Sequence, residues 1–451
     1  MGLFTVFSVK YGYSYFSGIR GNKNDTDGDR SEDVMGAHSC ENFPEKSEDL
    51  IINYEVSRDW VLLGDEFNSD EKTAEIRLEL NENYKEFFED EDNFSISYVV
   101  KKIEDNTFGT NELKPEFGST VKFYAELDAT DYSPGEYIIG VSIDHSCGEI
   151  NYGEEKLNIS YPVYVAWTFD WEGYEVKREY LDDVDELTLK HYDIPITHFY
   201  NPRIYSNSMF SQDERDFYTN WITHRRDEHG HAIGLHLHMF PDMVKAAGVN
   251  PHSEPAWGWN TNDGYDILVS GYSYQDMSKI LTWAKGIFVS NGLGEPVMFR
   301  AGGWFADEGT LKVLQDNGFV LDSSGRLKYV FGRNQVTGHW DLKTTTQPYH
   351  PNYYNQNSAA DPVMDIWEFP NNGGDSWSLS KDEMKQRFVD NYSGGVLTEK
   401  KLVNYLSHPE WFYEDKPKMD QLLGDLDKLL YEDDLGPVVY ITLDEAYKIW
   451  N

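Results

Sequence analysis

The chain is 451 residues long, room for one large domain or two, and its 39% of apolar and 15% of aromatic residues suffice for a globular core. A formal net charge of -40 gives a surface that repels nucleic acid and anionic membranes, which sets nucleic-acid binding aside. No apolar run is long enough to span a bilayer, and the start Met1–Val6 departs from a myristoylation signal because Val6 stands where Ser or Thr is required.

Residues 1 to about 50 are rich in Asn, Asp, Gly and Ser and read as loop, with room for an edge strand in the first dozen. Within them Asp25–Asp33 gathers carboxylates around Gly28, as a Ca2+ loop does. The spacing misses an EF-hand, since Gly28 at the sixth place puts Lys23 at the first ligand position; a solvated acidic loop is the plainer reading. From about 50 to 160, Ile51–Val56, Ala74–Leu80, Phe94–Val100, Thr120–Leu127 and Tyr137–Ile143 alternate apolar and polar residues between turn-rich connections. That pattern predicts half-buried strands and an N-terminal β-sandwich of immunoglobulin-like type over 1–158. Cys40 and Cys147 are the two cysteines; a disulfide in an exported protein and two buried thiols both fit.

After about 160 the rhythm becomes strand, loop, helix. The run Tyr164–Asp170 is apolar and stops at two acids, Asp170 and Glu172, one residue apart. Helical patterns near 177–190, 211–228, 273–290, 307–315, 381–390 and 417–431 alternate with strands at 194–200, 232–238, 296–304, 318–322, 365–369, 402–408 and 438–442. Such alternation predicts parallel βα units over 159–451, most economically closed as a barrel. In such folds the C-terminal ends of the strands carry the chemistry.

Collected at those ends are Asp170 and Glu172, His236 and His238, Arg300, and His408. Two imidazoles and a carboxylate are the donor set of a catalytic zinc-type site, and the remaining acid and base are available for proton transfer. Each residue also has a plainer role. An acid after a strand caps a helix, a histidine pair can be structural, Arg300 can be an ordinary ion-pair partner, and His408 before Pro409 can simply end a strand. Their convergence on one end of successive units is what argues for a site.

Four stretches, Thr168–Gly173, Gly230–His238, Phe299–Trp304 and Ser407–Trp411, resemble in order the motifs of the polysaccharide deacetylases, the NodB-homology or carbohydrate esterase family four group. The closing Tyr440–Ala446 is similar to the terminal strand and helix of that domain. The resemblance covers about 160–451. It implies a distorted (β/α)7 barrel and metal-dependent removal of N- or O-acetyl groups from an acetylated polysaccharide or glycan, with a divalent metal, zinc first. By position it makes Asp170 the general base, oriented by Arg300, His408 the general acid, and Glu172 and His236 metal ligands. The family's usual second histidine would fall at Phe240, so His238 takes that role, with His231 in reserve. Trp171, Trp304 and Trp411, with Trp257 and Trp259, sit beside the motifs as rings for stacking on sugars or as packing. Two other functions fit the same residues: an inactive relative that binds carbohydrate, and a metal hydrolase acting on a non-sugar amide. A secreted or cell-surface location is expected, with the cytoplasm as the alternative.

Overall fold

The computed structural model describes residues 40–259 and 263–451. The acidic stretch Asp25–Asp33 with its calcium reading lies outside them. The chain divides into two compact units: one made of residues up to Arg58, Thr73–Asp128 and Glu136–Leu157, the other of Asp59–Lys72, Ala129–Gly135 and Asn158–Asn451.

The N-terminal third contains β1 (Ile51–Val56), β2 (Trp60–Leu62), β3 (Thr73–Leu80), β4 (Phe94–Lys102), β5 (Phe108–Glu112), β6 (Lys114–Pro115), β7 (Lys122–Asp128), β8 (Gly135–His145) and β9 (Gly148–Ser160). In the first unit β1, β3, β7 and β6 form an antiparallel sheet in that order, and β9, β8, β4 and β5 follow one another in a second. Burial alternates residue by residue along β7, as a strand with one face in a core requires. Phe94 of β4 and Phe123 of β7 meet edge to face at 6.2 Å, joining the two sheets. Cys40 and Cys147 are disulfide-bonded, with Cα atoms 5.3 Å apart. Strands β5 and β6, which bury almost nothing, escape a reading based on alternation.

In the second unit β2 pairs in parallel with residues 158–160 of β9. The strands that follow are β10 (Val163–Asp170), β11 (Ile196–Tyr200), β12 (Ala232–Leu237), β13 (Met298–Ala301), β14 (Leu321–Asp322), β15 (Val330–Phe331), β16 (Val336–Thr337), β17 (Trp367–Glu368), β18 (Gly374–Asp375), β19 (Lys401–Ser407) and β20 (Val438–Tyr440). One parallel sheet runs β17-β14-β13-β12-β11-β10-β19-β18, with β20 beside the start of β10. Its two ends are not paired with each other, so the sheet is a curled parallel half-barrel and not a closed ring. β15 and β16 form a separate hairpin.

Helices connect these strands and begin where the sequence supplies a cap. Gln212–His229 starts from a Ser211–Glu214 capping box and ends at Gly230, whose φ of 69° suits a residue without a side chain. Lys381–Asn391 begins from a second box, Ser380–Glu383. The helix expected near 417–431 instead spans Phe412–Leu426; Pro417 sits inside it rather than at its start.

The two faces of β10 lead to different surroundings. Val163, Val165, Trp167 and Phe169 join the large core shared with the helices, whereas Tyr164 and Ala166 join a smaller cluster with Phe199, Met298 and Leu443. Because strand residues alternate, Thr168 and Asp170 continue the second face, and Glu172 follows two residues past the strand's end.

Candidate metal centre and active site

The same spacing recurs at β12: His236 lies in the strand and His238 one residue past its end, and both are buried. With Glu172 they form a group whose potential donor atoms all lie within 4.8 Å of one another. Nε2 of His238 is 2.5 Å from Oε2 of Glu172, and Nε2 of His236 is 3.8 Å from Oε1. Four-coordinate zinc holds N and O donors at about 2.0–2.2 Å, which places them roughly 3.3 Å from each other, between the two separations seen here.

The second contacts of the histidines decide how their lone pairs point. Nδ1 of His236 faces the carbonyl of Arg300 at 3.0 Å, and Nδ1 of His238 faces the carbonyl of Tyr265 at 2.8 Å. A carbonyl only accepts, so each Nδ1 carries the proton and each Nε2 presents a lone pair toward Glu172. Glu172 Oε2 and His236 Nε2 are buried without a hydrogen-bond partner among the described residues. Lone pairs converging on a buried carboxylate repel one another unless a cation lies between them, and histidines oriented by backbone carbonyls are the usual support of such a cation. The residues therefore fit a divalent metal.

The neighbouring strand makes room for this arrangement. A Cβ on Gly302 would stand 2.7 Å from Cε1 and Nδ1 of His238. The imidazole is also stacked on Tyr265, with ring centres 4.0 Å apart and planes 5° from parallel. His238 is thus held on both faces.

Asp170 stands beside the group, and Asp170, Glu172 and His408 form a second set of donors within 4.8 Å. Arg300, wholly buried, donates from one Nη to Asp170 Oδ1 at 2.8 Å and to Thr168 Oγ1 at 2.8 Å. Its other nitrogens bond Ser323, at the carbonyl (2.8 Å) and at Oγ (2.7 Å). His408 follows β19 directly. Its Nε2 lies 3.2 Å from Glu172 and its Nδ1 3.8 Å from Asp375, which ends the two-residue strand β18. Burial pulls the His408 pKa down, but Glu172, Asp375 and Asp170 outweigh it and push it up to about 10. The imidazole therefore carries a proton at neutral pH. Glu410 accepts the backbone N–H of Glu172 at 2.8 Å, and burial, with Glu172 alongside, raises its own carboxyl well above the usual range.

These groups open into a cavity of about 570 Å3 walled by aromatic rings, among them Trp257, Trp259, Trp304, Trp377 and Trp411. Trp259 and Trp377 are each 47% exposed and meet at 5.9 Å, leaving ring surface free at the mouth. Trp304 holds φ at 60°, an uncommon setting for a bulky residue that costs on the order of 1–3 kcal/mol and concentrates at functional sites. The hairpin β15–β16 adds Phe331. It lies close because Gly332, at φ 69°, lets the backbone pass Trp257; a Cβ there would be 2.0 Å from the Trp257 carbonyl oxygen.

Two expected site residues lie elsewhere. Trp171 is fully buried and belongs to the large core, with Tyr200 at 5.0 Å and its indole N–H donating to His198 at 3.3 Å. It falls between Asp170 and Glu172 and so points to the opposite face of the strand, away from the cavity. His231 precedes β12, at the strand end remote from His236, and pairs with His198 at 2.9 Å. Phe240 is buried under the Arg203 guanidinium at 3.6 Å. Sequence reading missed Asp375, Trp377, Tyr265, Arg326 and Glu410. Only the last carried a signal, as the acid two residues beyond His408.

No family model matches the chain, and no curated protein matches it. Among solved structures, a protein of Mycobacterium smegmatis assigned to the polysaccharide deacetylases aligns at 14% identity over 64% of this chain and 90% of its own, with a TM-score of 0.38. A peptidoglycan deacetylase of Bacillus subtilis aligns at 11% identity over 64% of this chain and 92% of its own, with a TM-score of 0.31. A family 4 acetyl xylan esterase of Clostridium thermocellum, solved with cobalt, aligns at 12% identity over 63% of this chain and 90% of its own, with a TM-score of 0.32. At such identities and TM-scores no residue role and no activity passes from these proteins to this chain.

Proposed function

We propose that the protein is a metal-dependent hydrolase that removes acetyl groups from a polysaccharide or other glycan, working at the C-terminal end of the curled parallel half-barrel, with a β-sandwich module in the N-terminal third. The observation that carries this reading is the joint placement of Glu172, His236 and His238, with unprotonated Nε2 atoms facing a carboxylate, beside an Arg300-anchored Asp170 and a protonated His408. A divalent cation, zinc being the first candidate for two imidazoles and a carboxylate, would polarise an acetyl carbonyl and make a water more acidic.

The chain's own residues supply the remainder. Asp170 accepts the proton of the attacking water, and the Arg300 fork keeps its free oxygen turned to the cavity. His408 donates its proton to the departing amine or alcohol, with Asp375 behind its Nδ1 to steady the imidazolium. Trp259, Trp304, Trp377 and Trp411 offer surfaces for sugar rings. The Cys40–Cys147 bond supports an exported location, where disulfides persist.

The test is acetate release from a panel of acetylated polysaccharides in zinc- or cobalt-supplemented buffer, with Asp170→Asn as control. Release by the wild type and not by the variant is expected. A metal-loaded protein that releases no acetate from a broad panel, yet binds glycan, would replace this reading with that of a carbohydrate-binding protein.

A further inference from the structure

Among the described residues lining the cavity, Arg326 is the only Lys or Arg, and the chemistry above leaves it without a task. Its guanidinium carbon lies 3.9 Å from the Trp304 ring centre and 4.7 Å from that of Tyr329, so two aromatic rings fix its position. Among the described residues it makes no ion pair and donates no hydrogen bond. Arg300 is the contrast, since its donors end on Thr168, Asp170 and Ser323. The carboxylates of the cavity have closer partners as well: Asp170 has Arg300, Glu172 has the three histidines, and Asp375 lies beside His408.

Arginine presents five N–H donors in a planar fork that matches a carboxylate. Arg326 is partly buried, which disfavours its charge, and Tyr329 and Asp375 only partly compensate, so an anionic partner in the cavity would offset that cost. The net charge of -40 repels anions from the protein as a whole, which makes a locally held cation the device by which this cavity would accept one.

We propose that Arg326, stacked on Trp304 and Tyr329, is a specificity residue that binds the carboxylate of an acidic sugar, so that the substrate class is an acetylated glycan carrying uronic acid or similarly carboxylated residues next to the acetylated one. The inference rests on the deacetylase reading and adds to it the charge of the substrate.

Its test compares kcat/KM for acetate release from acetylated glucuronoxylan oligosaccharides and from acetylated neutral xylo-oligosaccharides, in the wild type, Arg326→Met, Arg326→Gln and Arg326→Lys. The expected result is a wild-type preference for the acidic series of about 10- to 100-fold, expressed mainly in KM, the size of a charge-assisted hydrogen bond. Arg326→Met and Arg326→Gln abolish that preference, and Arg326→Lys keeps part of it. Arg326→Gln retains a planar group over Trp304 and guards against a merely misfolded variant. An acidic-to-neutral ratio that is the same in all four proteins overturns the proposal.

Calorimetric titration of the deacetylated glucuronoxylan oligosaccharide into metal-loaded protein reads the same contact without turnover. A Kd at least tenfold lower for the wild type than for Arg326→Gln is expected, and equal affinities overturn the assignment. If no protein releases acetate from either series while that difference in Kd holds, the deacetylase reading falls and the carboxylate site stands. A wild-type preference for sulfated over carboxylated oligosaccharides would also overturn it, in favour of a tetrahedral oxyanion.

Discussion

Gly302→Ala tests the metal centre without replacing a ligand. The added methyl would stand 2.7 Å from two atoms of the His238 ring and 2.8 Å from a third. Carbon atoms in ordinary contact lie about 3.5 Å apart, so ring or strand must give by roughly 0.8 Å. The ring has nowhere to go: its other face is stacked on Tyr265 at 4.0 Å and its Nδ1 is tied to the Tyr265 carbonyl at 2.8 Å. Metal–ligand distances tolerate deviations of about 0.2 Å, a quarter of that displacement. Overpacking of this kind costs about 1–3 kcal/mol of stability, and a disturbed ligand support costs about 10- to 100-fold in metal affinity. The assay is zinc affinity by competition with a chromophoric chelator, alongside Tm of the metal-free protein. Gly303→Ala is the control. Its Cβ would meet Phe305 and Trp257 at 3.0 Å and its φ of 59° strains any side chain, so it lowers Tm but has no direct contact with His238. Wild-type zinc affinity in Gly302→Ala, or equal losses in both variants, would show that the space beside His238 does not govern metal binding.

Asp170→Asn should lower acetate release about 10²- to 10⁴-fold while zinc stoichiometry stays at wild-type level, whereas His236→Ala should lose the metal itself, as read by elemental analysis of dialysed protein. Removal of metal with a chelator should lower Tm and abolish release, and readdition of zinc at about 100-fold its Kd should restore about 2.7 kcal/mol of stability. Acid should destabilise the fold through His198 and His231. Burial, then the neighbouring cations, depresses both, His231 to about 3, so below an ordinary pKa of about 6.5 the unfolded chain takes up the protons. Their contribution is complete above pH 6.5 and is lost as pH falls, at about 1.4 kcal/mol per pH unit for each histidine. Urea unfolding at pH 6.5 and pH 5 should show a smaller loss in His231→Phe than in the wild type; identical losses would exclude the pair as the cause.

Periodicity made the working end of the half-barrel legible. Asp170 ends one strand with Glu172 two residues on, and His236 lies in another with His238 just past its end, so the alternation of extended chain predicts two converging pairs. The same rule, applied to the residue between the acids, would have turned Trp171 into the core, where it lies. Its neighbours in the motif suggested a sugar platform instead, and proximity in sequence misled where parity was decisive. His231 failed for a related reason, since five residues along a strand carry it to the far end. Asp375, Trp377 and Arg326 were not legible, because they sit on two-residue strands and loops that have no period and are placed by long-range packing. The disulfide was undecidable from two cysteines 107 residues apart, whose approach depends on the fold of the strands between them.

Arg300 serves the two halves of the chemistry through different parts of itself. Its guanidinium anchors the proposed base, while its carbonyl, opposite His236 in the parallel register, fixes the tautomer of a proposed metal ligand. Every amino acid has that carbonyl and only arginine has that fork. One codon change at this position can therefore silence proton transfer and leave metal retention intact, so that a lineage descended from this chain has a one-step route from turnover to ligand capture. Among its descendants, metal content would be a poor guide to activity, and the residue at position 300 a better one.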